Sequence, residues 1–165
     1  MEETQSDRAA VIVCAALLED GLTRAIQSTL HRDKAVLEKL FRPSGPLGSF
    51  SAKIDLAFAM GLYSKEIHKD LVTIKNIRNE FAHGLTTKNL GSQKVRDLCD
   101  NIEIDALNFT IRGVHRKDRI RATKMFIDLD KTAAGYRREK FKRACQVLLV
   151  LLGGFLRKRP RRPAF

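Results

Sequence analysis

The sequence predicts an all-α fold, a single-domain helical bundle. Three observations lead there. Apolar residues recur at three- and four-residue steps over long stretches, which puts them on one face of a helix. Most of these stretches open on Ser or Asp, and several close on Gly, the usual punctuation of helix ends. At 165 residues the chain is the size of one domain, large enough to bury a core without disulfides or metals.

The elements follow in order. Asp7 is placed to cap a long first helix with the stripe Val11, Ile12, Ala15, Leu18, Leu22, Ile26 and Leu30. Asp33 opens a short second helix whose apolar side is Val36, Leu37 and Leu40. Arg42-Pro43-Ser44-Gly45-Pro46-Leu47-Gly48 then breaks any helix. Ser49 or Ser51 starts a third helix through Ile54, Leu56, Ala57, Phe58 and Met60, closed by Gly61. Ser64 caps a fourth, with Ile67, Leu71, Ile74, Ile77 and Phe81 inward and Gly84 at its end. Ser92 opens a fifth through Val95, Leu98, Cys99 and Ile102. Residues 105–131 carry no clear pattern, and Met125-Phe126-Ile127-Asp128-Leu129 reads as strand or helix. A last helix from about Ala133 carries Phe141, Cys145, Leu148, Leu149, Leu152 and Phe155. The expected organisation is one helical domain over residues 1–156 and a basic, disordered tail over 157–165, which has two prolines and nothing to bury.

Composition narrows the function classes. Cys14, Cys99 and Cys145 are odd in number and widely spaced, so neither a disulfide framework nor a zinc site is expected, and a reducing cytoplasm is the natural compartment. The acidic start (Glu2, Glu3, Asp7) is unlike a signal peptide, and the apolar run Val147–Leu156 is too short to span a bilayer. No metal or cofactor is expected: phosphate-cradling glycines, a serine nucleophile elbow and paired carboxylates are all missing from the sequence. Residues 1–111 hold 14 basic and 15 acidic side chains, whereas 112–165 hold 17 and 4, so the whole net charge of +12 comes from the last third. That asymmetry fits an anionic partner, nucleic acid or acidic protein, bound through Arg116, Lys117, Arg119, Arg121, Arg137, Arg138, Lys142, Arg143, Arg157, Lys158 and Arg159. It equally fits a solvated helix face.

Arg78-Asn79-Glu80-Phe81-Ala82-His83 is the most chemically loaded stretch. A permanent guanidinium, an amide and a titratable imidazole lie where the fourth helix stops. Such a set binds phosphate and moves a proton, or it pins helices together as a polar cluster. In the second case Arg78 pairs with Glu19 or Asp20 on the first helix, and His83 bonds to the loop at Pro46–Ser49, with Lys53 and Asp55 close by.

The first helix, the segment Gly45-Pro46-Leu47-Gly48-Ser49-Phe50-Ser51-Ala52-Lys53-Ile54 and the segment Ile77–His83 together resemble the bacterial mannitol operon repressor family. The resemblance covers about residues 7–104 and the last helix; 105–132 and the tail depart from it. Separately, Arg78 with His83 fits the Arg-x4-His pattern of HEPN domains, helical bundles many of which resemble metal-independent RNases acting as dimers. Asn79 after the Arg fits that pattern too, and Glu19 and Asp20 fall where such domains often carry an acidic group. These resemblances imply a HEPN-like bundle and a cytoplasmic regulator acting through a protein or nucleic-acid partner. The alternative they imply is a metal-independent endoribonuclease, a toxin or defence component, using Arg78 and His83 in a symmetric dimer.

The RNase chemistry needs few parts. His83 would take the proton of a 2′-hydroxyl that attacks the adjacent phosphate, and Arg78 would stabilise the charge on phosphorus. Five helical steps set the two about 140° apart around the axis, a gap the long Arg side chain can bridge. A helix-turn-helix is the remaining motif. Ala57, Gly61 and Ile67 have its small–glycine–aliphatic spacing, with Lys65, His68, Lys69 and Lys75 toward DNA, but Asp70 stands where an apolar residue belongs. His31, His68 and His115 lack ligand partners at metal spacing and read as surface positions.

Overall fold

A computed structural model describes residues 2–30, 33–83, 89–103, 117 and 135–157. The described residues form six helices: α1 (Glu2–Thr29), α2 (Lys34–Phe41), α3 (Phe50–Ala59), α4 (Lys65–His83), α5 (Gln93–Asp100) and α6 (Tyr136–Arg157). The segment Met125–Leu129 and most of the 105–131 region lie outside the described residues, as do 158–165. α1 packs against α3, α4 and α6; α4 also meets α3 and α5, and α6 meets α5. The apolar stripes of the sequence become the core. Leu18, Leu22, Ile26, Ile54, Ile67, Leu71, Ile74, Ile77, Phe141 and Leu148 are all fully buried.

α1 and α6 run parallel. Asp7 meets Arg138, Cys14 meets Cys145, and Gly21 lies against Leu149 and Leu152. The first two contacts share one offset, and the third continues it a heptad further along, so the same edge of each helix faces the other at coiled-coil-like spacing. A Cβ at Gly21 would come within 3.2 Å of Leu149 Cδ2, so glycine lets the pair close up there.

The start of α1 differs from the expectation. The helix begins at Glu2, and Asp7 lies inside it, 6% exposed. Its Oδ2 accepts the Leu90 N–H at 3.0 Å and its Oδ1 pairs with the Arg138 guanidinium. A carboxylate with two tertiary partners no longer serves as a local cap, and the helix runs on past it.

Three of the other ends form as read, whereas Ser92 precedes α5 without a side-chain cap bond, Ser64 Oγ is buried with no hydrogen-bond partner among the described residues, and Gly84 lies outside them. Asp33 Oδ1 accepts the Val36 N–H at 2.9 Å, capping α2, which buries no residue of its own. Ser49 caps α3, its Oγ accepting the Ala52 N–H at 3.1 Å, which decides between the two candidate serines. α3 ends in a Schellman motif: Leu62 N–H reaches Ala57 O at 3.0 Å, Gly61 N–H reaches Phe58 O at 2.8 Å, and Gly61 takes φ +65°. The Pro/Gly segment folds back on the end of α2, with Leu47 N–H donating to Leu40 O at 2.9 Å. A Cβ at Gly45 would sit 2.5 Å from the carbonyl oxygens of Lys39 and Leu40, so that position has room only for glycine.

Leu18 on α1 and Ile74 on α4 are both fully buried. Leu18→Ala and Ile74→Ala should each cost about 2–5 kcal/mol, read as shifts in the urea unfolding midpoint. Midpoints that stay put for both would contradict a core shared by these helices.

Candidate functional site

α4 carries two of the three candidate features, and its burial decides how each is presented. Ile67, Asp70, Leu71, Thr73, Ile74, Ile77 and Phe81 are buried along one side. Arg78 and Asn79 are therefore half-buried at its edge, and His83, the last helical residue, is exposed. Arg78 Nη1 donates to Asn79 Oδ1 at 3.1 Å, so the guanidinium lies back along its own helix.

The expected pairing of Arg78 with Glu19 or Asp20 does not form. Glu19 takes Lys53 of α3 at 2.7 Å, and Asp20 takes Arg24 one turn on at 2.6 Å. The physical reason is burial: the Lys53 side chain is 9% exposed and a buried ammonium needs a counter-charge, which α1 supplies where it packs on α3. Asp55 pairs with His68 at 3.0 Å, away from His83, and no bond joins His83 to Pro46–Ser49 among the described residues. His68, read as a surface residue, is half-buried, its ring 4.6 Å from that of Phe58. Glu80, between Arg78 and His83, takes Lys94 of α5 at 2.6 Å. Arg78, Asn79 and His83 thus share the final turns of α4, with Arg78 and His83 drawn into no carboxylate pair among the described residues.

The helix-turn-helix spacing is realised in part. Ala57 and Ile67 are buried around the left-handed Gly61, as that motif requires. However, α1, α3 and α5 all pack on α4, and Lys69 and His68 are held by Glu103, at 3.1 Å, and by Asp55. Asp70 occupies the apolar position and is nonetheless 1% exposed. Its Oδ1 accepts the Glu103 N–H at 3.1 Å, while Oδ2 is buried with no hydrogen-bond partner among the described residues. Burial pushes this carboxyl up to about 6, against the opposing pull of the Glu103 N–H.

The expected anion-binding residues on α6 are engaged within the fold. Arg137 pairs with Asp100 at 3.2 Å, Arg138 with Asp7, and Lys142 and Arg143 with Glu139 at 3.7 and 2.8 Å. Lys140 Nζ donates to the Asp100 carbonyl at 3.1 Å. Lys117 is exposed, and Arg157 ends α6. Arg116, Arg119, Arg121, Lys158 and Arg159 lie outside the described residues.

Two features escaped the sequence reading. One is a cavity of about 980 Å³ between α1, α2 and α6, lined by Arg24, Gln27, Ser28, Lys34, Leu37, Glu38, Phe41, Arg42 and Leu156. Its walls come from three helices, so no local pattern marks it. The other is the outward side of α1, where Val13 is 57% and Leu17 51% exposed beside the exposed Ala9 and Ala16. Its signal was present: these four also recur at three- and four-residue steps, behind the buried stripe. No described helix is long and apolar enough to cross a membrane. The described residues also hold no group of three His, Cys, Asp or Glu able to bind a metal ion.

The structure is therefore an all-helical domain in which the helix at the DNA-reading position is part of the core. Residues 1–150 match the mannitol repressor family, and the chain belongs to that family, whose description is a regulatory one. Neither a curated protein nor a solved structure matches the chain.

Asp70 gives a pH prediction. Pushed up to about 6, this carboxyl lies above the ordinary aspartate value of 3.8, so the native state holds the proton more tightly. The stability tied to that proton is fully present below about pH 4 and is lost as pH rises through about 6. Asp70→Asn should thus gain about 3 kcal/mol over the parent at pH 8 and almost nothing at pH 4, in paired urea melts. An equal difference at both pH values would mean that folding leaves the Asp70 carboxyl unshifted.

Proposed function

We propose that this protein is a cytoplasmic regulator of the mannitol-repressor type that acts by binding a protein partner, without a DNA-reading helix-turn-helix. The observation that carries this reading is the pair of faces left on α1 and α4. α4 has an inner side locked in the core, and its His68 and Lys69 are held in ion pairs. α1 has an outer side that leaves Val13 and Leu17 more than half exposed. Contiguous apolar side chains on one helix face are the kind of surface that a partner's groove or helix covers.

The test is complementation of a strain lacking the gene, with mannitol-utilisation genes as readout. Val13→Glu/Leu17→Glu should fold with stability changed by less than about 1 kcal/mol, because both residues are exposed, and should lose regulation. Lys65→Ala/Lys69→Ala should keep it. The reverse pattern would assign DNA reading to α4 and overturn the proposal.

A second reading, a metal-independent endoribonuclease, is favoured by one observation: Arg78 and His83 are drawn into no carboxylate pair among the described residues, and His83 is exposed. Under this reading the parent cleaves labelled RNA in excess EDTA. His83→Ala should abolish that cleavage while stability moves by no more than about 1 kcal/mol. Arg78→Ala should be comparably mild, since it strands no buried acid. A parent that leaves RNA intact, or a His83→Ala protein that still cuts, would remove this reading.

A further inference from the structure

We propose that Cys14 of α1 and Cys145 of α6 are a peroxide-responsive thiol pair that closes into an intramolecular disulfide and clips the two helices together. The register places them. Asp7 faces Arg138 at one end and Gly21 faces Leu149 and Leu152 at the other, so Cys14 falls opposite Cys145 in between. The two side chains are in hydrogen-bond contact, and both are free thiols. At Gly21, two turns along, the missing side chain lets Leu149 and Leu152 of α6 lie against α1, so the same register continues past the two thiols. A disulfide needs two sulfurs held face to face in this way.

The two thiols differ in a way that divides the chemistry. Cys14 is half-buried and next in sequence to the exposed Val13, so an oxidant can reach it. Its thiol is pulled down to about 7, first by the hydrogen bond with Cys145 and then by the Lys142 ammonium, while burial opposes both. Cys145, 1% exposed, is pushed up well above the ordinary thiol range, chiefly by burial. The thiolate is the nucleophile, so Cys14 reacts and Cys145 resolves. In the first step the Cys14 thiolate attacks one oxygen of a hydroperoxide. The O–O bond breaks, an S–O bond forms, and the other oxygen leaves as hydroxide or alkoxide and takes up a proton. In the second, the Cys145 sulfur attacks the Cys14 sulfenic acid, the S–O bond breaks, the S–S bond forms, and the thiol proton leaves with the hydroxyl as water. Two thiols and one hydroperoxide thus give one disulfide, one alcohol or water, and one water. Cys99 is the internal control: it is fully buried, and burial pushes its thiol up to about 12.

The experiment uses the full-length reduced protein and a small excess of hydrogen peroxide, followed by alkylation and mass spectrometry. The expected result is loss of two of the three alkylatable thiols, a mass lower by two hydrogens, and a linked Cys14–Cys145 peptide reversed by dithiothreitol. The melting temperature should rise on oxidation. Cys145→Ser should leave a Cys14 sulfenic acid that dimedone traps, and Cys14→Ser should leave the remaining thiols unreacted. If either variant fails to fold, peptide mapping of the parent decides alone. Three thiols retained, intermolecular dimers through Cys14, or a Cys14 sulfinic acid beside a reduced Cys145 would each overturn the proposal.

Discussion

The parallel seating of α1 on α6 is the constraint from which the rest of the architecture follows. Two parallel helices cannot be joined by a short turn, so the intervening chain has to be laid beside the pair. α3 and α4 fill the flank of α1, and α5 bridges from α4 to α6. The head of the pair is fixed by charge. Asp7 is buried with Arg138 and the Leu90 N–H, and Asp100 of α5 receives Arg137 and Lys140. Buried ion pairs add little net stability, because desolvation offsets most of the attraction, but an unpaired partner is costly. Slipping α6 by one turn would strand Asp7 and Arg138 together. These pairs therefore select the register, and apolar packing supplies the free energy.

How far this was legible follows from the range of each interaction. Helix positions were readable because periodicity and caps are local: Asp33, Ser49 and Gly61 do what their positions announced. The buried stripes of α1 and α4 were readable for the same reason. Partnership between helices was not. A stripe shows that a face is buried, but it carries no record of which helix covers it or in which direction. Glu19 finds Lys53 at a separation of 34 residues and Asp7 finds Arg138 at 131, and neither pairing leaves a mark in the neighbouring sequence. Arg78 had been one candidate partner for an acidic group on α1. The buried lysine claimed that group instead.

Position 70 shows how a sequence motif and a fold can part company. The helix-turn-helix spacing asks for an apolar residue there, and the site is buried as asked, yet an acid fills it. What makes this tolerable is the backbone N–H of Glu103, which comes from beyond α5 and binds one carboxylate oxygen. The same contact ties the chain beyond α5 to the buried side of α4. The local turn that the spacing specifies forms, with an acid inside it where an apolar residue was expected.

The charge distribution bears on the same question. A net charge of +12 is easily taken as a nucleic-acid footprint. Yet Arg137, Arg138, Lys142 and Arg143 of α6 each meet a carboxylate, and Lys140 meets a carbonyl. Their role in the described fold is to hold α6 against α1 and α5 and to stabilise its first turns. Phosphate affinity requires cations free to exchange counterions for phosphate, and a guanidinium already paired with a buried aspartate gives up that pairing to do so. The outer side of α1 is in the opposite condition: it exposes apolar surface that a second protein can remove from water at no electrostatic cost. Within the described fold, Arg137, Arg138 and Lys140 hold α6 against its neighbours, while α1 leaves Val13 and Leu17 exposed.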